Sequence, residues 1–221
     1  MQMKATFFST VVVLAFLSGN TFAGQASGYL GDAYPKLKDE TSASGDKVRR
    51  WISPELSSGK YTAVMLKNSI MYPEPKATDQ VSDELLNNIT AYLDEALHRE
   101  LGGVVEIVTE PGPNVLILKP AITAASAQEE GLKAYELIPV AFVFSRVKKA
   151  SGGRAKEAVL AMEWQVQDAE SNQIIGAGMR AGAGGKLKTP SDQVTLENLK
   201  PLLDGWAKDA RAFIQSTKAK R

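Results

Sequence analysis

Apolar residues recur at three- and four-residue spacing in two stretches of the chain and alternate with polar ones in several shorter stretches. Between 82 and 101, Leu85, Ile89, Tyr92, Leu93, Ala96 and Leu97 line up in one stripe, which predicts an amphipathic helix. Ser82 is a suitable N-cap, and Asp83 and Glu84 place acids where the helix dipole favours them. Gly102-Gly103 then stops the helix. A second stripe, Leu202, Leu203, Trp206, Ala207, Ala210, Phe213 and Ile214, predicts a C-terminal helix. Pro201 falls in its expected first turn, where no amide hydrogen is needed.

The alternating stretches predict strands. Tyr61–Tyr72 places Thr62, Val64, Leu66, Ile70 and Tyr72 on one face and ends at Pro73-Glu74-Pro75. Val104–Val108 is a short strand and Asn114–Thr123 a longer one, in which Pro120 predicts a sheet edge or a bulge. Ala158, Leu160, Met162, Trp164 and Val166 share one strand face, while Glu163, Gln165 and Gln167 point the other way. After a turn at Asp168–Asn172, the chain returns through Gln173–Gly184. On that return strand Gly176, Gly178, Gly182 and Gly184 share a face whose one side chain is Arg180. A face so bare lets another backbone or side chain come close, which makes these five residues a candidate interaction surface. Residues 137–149 fit a helix starting near Pro139, with a strand as the alternative. Residues 24–60 show no period and read as an N-terminal arm lying on the domain surface. The expected fold is a single α/β (α+β) domain over 61–221, a mixed, mostly antiparallel sheet packed by amphipathic helices.

The first 23 residues change the picture of location. Lys4, a mostly apolar run from Phe7 to Leu17, and small residues at Thr21 and Ala23 read as an export signal. The run is shorter than the roughly 20 residues that span a bilayer, so no transmembrane span is expected after cleavage. With Lys4 gone, the basic and acidic counts balance at 25 each. That balance excludes the basic excess of a dedicated nucleic-acid binder and the polybasic patch of a lipid-surface anchor. The cysteine count is zero, which removes disulfides, thiolate metal sites and cysteine nucleophiles together.

Several phrases resemble domain-of-unknown-function family 3313, bacterial envelope proteins usually described as lipoproteins. They are Ser27-Gly-Tyr-Leu-Gly-Asp-Ala-Tyr34, Arg50-Trp-Ile-Ser-Pro54, Lys60-Tyr61, Glu110-Pro-Gly-Pro113, Asp168-Ala-Glu-Ser-Asn172 and Arg180-Ala-Gly182. The resemblance spans roughly residues 27 to 215 and implies an envelope location, but it brings no catalytic residues. It departs at one point: Leu17-Ser18-Gly19 is followed by Asn20, where the family usually carries the cysteine that receives a lipid. A periplasmic or secreted protein without a cysteine-linked lipid is therefore expected, with a retained signal acting as a membrane anchor as the alternative.

No complete catalytic set emerges. His98 is the single histidine, near Asp94 and Glu95, and reads as a boundary residue on a helix edge. Ser145-Arg-Val-Lys148 has the S-x-x-K spacing of penicillin-recognising enzymes, but Ser191-Asp192-Gln193 and Lys188-Thr189-Pro190 do not supply its partners. The glycines before Lys186 fail as a phosphate loop, with Arg180 at the first required glycine and Leu187 in place of Ser or Thr. Asn88-Ile-Thr90 is a sequon inside a predicted helix. Neither a cofactor nor a metal site is expected. Arg180 is the residue to watch, as a structural ion-pair partner or as an anion-binding side chain. The leading expectation is a non-catalytic envelope protein that binds a partner or a second copy of itself. The alternative is a periplasmic hydrolase of cell-wall or carbohydrate material using paired carboxylates, and a third reading is a small-ligand binder using Arg180.

Overall fold

The long hairpin at the centre of the sheet organises everything else. The computed structural model describes residues 27–75, 77–129 and 156–218. In chain order the elements are β1 (Lys38–Thr41), β2 (Lys47–Ile52), β3 (Ala63–Leu66), β4 (Ile70–Met71), α1 (Asp83–Leu101), β5 (Glu106–Val108), β6 (Val115–Glu129), β7 (Lys156–Asp168), β8 (Ile174–Lys186) and α2 (Leu196–Lys218). The sheet runs β1-β2-β8-β7-β6-β3-β5, with β4 also on β6. Pairing is antiparallel from β1 through β6, whereas β3 is parallel to both β5 and β6 and β4 is parallel to β6. This is the mixed, mostly antiparallel α/β domain that the patterning predicts.

Both helices cover one face of the sheet. Leu85, Ile89, Leu93 and Leu97 of α1 and Leu199, Leu203 and Trp206 of α2 bury there with Leu160, Met162 and Val166 of β7. The α1 cap is as read: Ser82 Oγ accepts from the Leu85 amide at 3.1 Å. α2 starts earlier than its stripe implies. The Thr195 and Asn198 side chains cap each other's amides, at 3.4 Å and 3.0 Å, which is the reciprocal logic of a capping box. Pro201 therefore lies inside the helix rather than in its first turn.

The arm is a structural part of the sheet. β1 and β2 lie within 24–60, and β2 pairs with β8 from Arg49↔Met179 to Ile52↔Gly176. Leu30, Ala33 and Leu37 cover the face of the sheet opposite the helices, against Ala177 and Met179. That second layer also covers Glu163, which points away from the helices as the alternation implies and is only 1% exposed.

The predicted strand over 61–72 breaks in two at Lys67–Ser69. Ile70, which alternation sets on one face with Val64 and Leu66, is 45% exposed. The break accounts for Pro120. β6 is an interior strand, yet Pro120 lies between Leu118, which pairs with the end of β3, and Ala121, which pairs with the start of β4. The proline thus falls where neither β3 nor β4 is there to accept from an amide, and the register shift follows just beyond it, between Ile122 and Ala124. The ambiguous segment 137–149 and the export-signal stretch 1–23 lie outside the described residues.

Candidate ligand cavity

Between the helices and the sheet lies a partly open cavity of about 240 Å³. Leu93, Leu97 and Leu101 of α1 form one wall, and Trp206, Ala210 and Phe213 of α2 form another. Leu116, Leu118, Met162, Trp164 and Val166 make the floor, and Ser42 and Ala43 of the β1–β2 turn close one side. The volume exceeds the roughly 150 Å³ at which an apolar protein cavity accepts benzene.

The glycine face of β8 lies under two residues of this wall. A Cβ at Gly178 would stand 2.2 Å from Trp164 Cζ2, and one at Gly176 would stand 2.8 Å from Leu56. Both neighbours line the cavity. Further along, a Cβ at Gly182 would meet Leu202 at 2.5 Å, and one at Gly184 would meet the Asn198 carbonyl oxygen at 2.2 Å. The bare face therefore receives this chain's own side chains and the first turn of α2.

Arg180 stands amid those glycines with 4% of its side chain exposed, on the cavity wall. Its Nη1 donates to Asp209 of α2 at 2.8 Å, and its Nη2 donates to Asp46 at 3.1 Å. Ser44 ties the acids together: its amide donates to Asp209 at 2.8 Å, and its Oγ, with one hydrogen to give, lies 2.8 Å from Asp209 and 3.0 Å from Asp46. The guanidinium carbon lies 5.3 Å from the centre of the Trp206 ring, a cation–π distance. Two buried donors of this corner, Arg180 Nε and Trp206 Nε1, have no hydrogen-bond partner among the described residues. Both atoms are closed off, with less than 1 Å² of surface each.

Among the described residues, Asp209 is the carboxylate that lines this cavity. Burial raises the Asp209 pKa, but hydrogen bonds from Arg180, Ser44 and Ser42 outweigh it and hold the carboxyl below its ordinary range. Glu163 does have a raised pKa, because of burial, but it belongs to the other face of the sheet, where Tyr34 Oη donates to it at 2.6 Å. Asp168 closes the β7–β8 turn, accepting from the Glu170 and Ser171 amides at 3.0 and 2.7 Å and from Tyr61 Oη at 2.8 Å.

A family model described as a protein of unknown function, DUF3313, matches residues 25–210. This chain belongs to that family. It is 33% identical over 218 residues to the uncharacterized lipoprotein YdcL of Escherichia coli K12, covering 96% of this chain and 98% of the relative. The YdcL protein of Escherichia coli O157:H7 matches at the same identity and coverage. Among solved structures, a minor lipoprotein of Acinetobacter baumannii is similar at 13% identity and a TM-score of 0.41, with 72% of this chain and 95% of that one covered. The PelC dodecamer of Paraburkholderia phytofirmans is similar at 12% identity and a TM-score of 0.35, over 73% and 96%. At those TM-scores, the structural likenesses carry no argument about function.

Within this DUF3313 chain, the structure separates the residues singled out by sequence. Arg180 lines the cavity. Gly176 and Gly178 pack against Leu56 and Trp164, which line it, while Gly182 and Gly184 seat α2. His98 is exposed near the end of α1, where its carbonyl accepts from the Gly102 amide at 3.0 Å. Asn88 lies inside α1, and Ser145 and Lys148 lie outside the described residues. Among the described residues, no group of three His, Cys, Asp or Glu could hold a metal, and no helix is long and apolar enough to cross a membrane. Nothing in the sequence marks Asp209, Asp46 or Trp206 as part of a site. The one available signal for Asp209 is a carboxylate three residues after Trp206 in a stripe otherwise assigned to the core.

Proposed function

We propose that this DUF3313 protein is a non-catalytic, exported envelope protein that binds an apolar small molecule in the cavity beneath α2. The observation that carries this reading is the composition of the wall. Leucine, methionine and aromatic side chains enclose about 240 Å³, with the charged groups of the wall, Arg50, Arg180 and Asp209, held in salt bridges. Binding sites for small molecules share that plan, a mostly apolar lining with few fixed polar groups. The export-signal pattern of residues 1–23 and the name of the E. coli relative support the envelope location. Because this chain has no cysteine, the same reading makes it free in the periplasm or secreted rather than lipid-anchored. An envelope partner or self-association would then act on the loaded protein.

Titration of the exported, signal-cleaved protein with the apolar dye N-phenylnaphthylamine tests the binding. Saturable fluorescence enhancement at one dye per chain supports it, and enhancement that never saturates refutes it. Recovery of the protein in the soluble periplasmic or secreted fraction, rather than with membranes, tests the location.

A further inference from the structure

The open side of the cavity narrows the ligand class, on the premise that the cavity binds apolar molecules as proposed above. Arg50 of β2 lines the cavity with 23% of its side chain exposed, against 4% for Arg180, so it stands where the space meets solvent. Its guanidinium carbon lies 5.3 Å from the centre of the Phe213 ring, another part of the cavity wall. Glu40 accepts from Arg50 Nε at 2.6 Å, and the terminal nitrogens Nη1 and Nη2 carry no hydrogen bond among the described residues. A guanidinium fork with one edge taken still offers its other edge to a carboxylate or phosphate.

The neighbours decide which sign of head group fits that edge. Lys38 of β1 stands directly opposite Arg50 in the ladder, so the two side chains share the face of the sheet that looks toward the cavity. Lys38 is exposed and has no ion-pair partner among the described residues. Glu40 is already engaged by Arg50 Nε, while Asp46 and Asp209 are turned to Arg180. A hydrogen bond to an ionised acceptor is roughly twice as strong as one to a neutral acceptor, and Lys38 adds a second positive charge beside it.

We propose that the occupant is a single hydrocarbon chain ending in a compact anionic group, a carboxylate or a phosphate monoester, held by Arg50 Nη1 and Nη2 with Lys38 beside them. The hydrocarbon then lies against Phe213, Leu93, Leu97 and Leu101.

Competition against bound N-phenylnaphthylamine at neutral pH and low salt tests this with octanoate, octyl phosphate, 1-octanol and octyltrimethylammonium. A purely apolar site favours the alcohol, whose head is cheaper to take out of water than a charged one. Here the better of the two anions should compete at least about tenfold more tightly than 1-octanol. Its identity tells a carboxylate head from a phosphate one, and either order supports the assignment. In Arg50→Gln the anion advantage should be lost. In Lys38→Gln, a change at an exposed position, it should shrink, as it should in the native protein when salt is raised to about 0.5 M. Tighter binding of the alcohol by the native protein would overturn the assignment, and tighter binding of the ammonium would hand the rim to Glu40. An anion advantage undiminished in folded Arg50→Gln, or unmoved by both salt and Lys38→Gln, would overturn the place given to the head group. A dye that fails to bind saturably sinks the apolar-ligand reading itself, a result separable from any ranking of competitors.

Discussion

Arg180 of β8 and Asp209 of α2 meet at 2.8 Å with side chains 4% and 9% exposed, so a buried ion pair joins the sheet to the helix beside the cavity. The arginine comes from a strand face otherwise stripped to glycine, and the acid from a helix stripe otherwise apolar. Each is a charged residue that interrupts the pattern of its own element.

Asp209→Ala should be strongly destabilising. Removing one partner of a buried pair leaves an uncompensated charge and costs about 3–5 kcal/mol. Asp46, with 60% of its side chain exposed, offers only a solvated substitute. Replacing both partners, Arg180→Met with Asp209→Leu, should recover most of the loss. Urea midpoints of the three proteins decide this. A double variant as unstable as Asp209→Ala would show that packing, rather than charge, dominates the corner.

Stability should respond to acid through two groups of one sign and one of the other. For Asp209, burial raises the pKa but hydrogen bonds from Arg180 and the serines win; for Asp168, the Ser171 amide leads the lowering. Both folded values lie below the ordinary 3.8, so their contribution is present above that pH and is lost as pH falls through the folded values. Asp168→Asn and Asp209→Asn should each flatten the acid limb of stability against pH. Glu163 works the other way. Burial pushes its pKa above 4.5, and its contribution is complete below that pH and lost as pH rises through the folded value. Glu163→Gln should therefore gain relative to the native protein as pH rises from 4.5 toward neutrality. Denaturant midpoints across pH would show a constant difference if the carboxyl were unperturbed.

Glycine substitutions should sort by what they meet. Gly178→Ala drives a methyl toward Trp164, at 2.2 Å, and Gly184→Ala drives one toward the Asn198 carbonyl oxygen, also at 2.2 Å. Each should cost about 1–3 kcal/mol by overpacking. At Gly205, inside α2, an added methyl would have nothing within 4 Å, so Gly205→Ala should stabilise by roughly 0.5–1 kcal/mol. Thermal melts that rank Gly205→Ala below Gly178→Ala would contradict the packing described.

Much of the fold is legible in the sequence because its elements bury one face each. The α1 stripe, its Ser82 cap and the β7–β8 hairpin follow directly from period and turn chemistry. The arm is not legible, because a two-stranded edge such as β1–β2 carries exposed, charged positions and no alternation; all of β1 is exposed. Alternation places Glu163 on the face away from the helices, but not that the segment around Leu30 and Tyr34 covers that face. Of the cavity corner, Arg180 stands out in sequence because bare glycines surround it. Asp209 and Trp206 do not, since their meeting with Arg180 depends on where α2 lands across the sheet, which no local pattern encodes.

The cavity's occupancy is the central claim, and filling the cavity tests it most directly. Ala210 lies on the α2 wall beside Phe213, and Ala210→Phe would place a ring in the space assigned to the ligand. Paired dye titrations and thermal melts of the native protein and this variant should show one saturable site in the native protein. In the variant that site should be lost, with the melting temperature retained or raised. Undiminished dye binding in a folded Ala210→Phe protein would contradict the account.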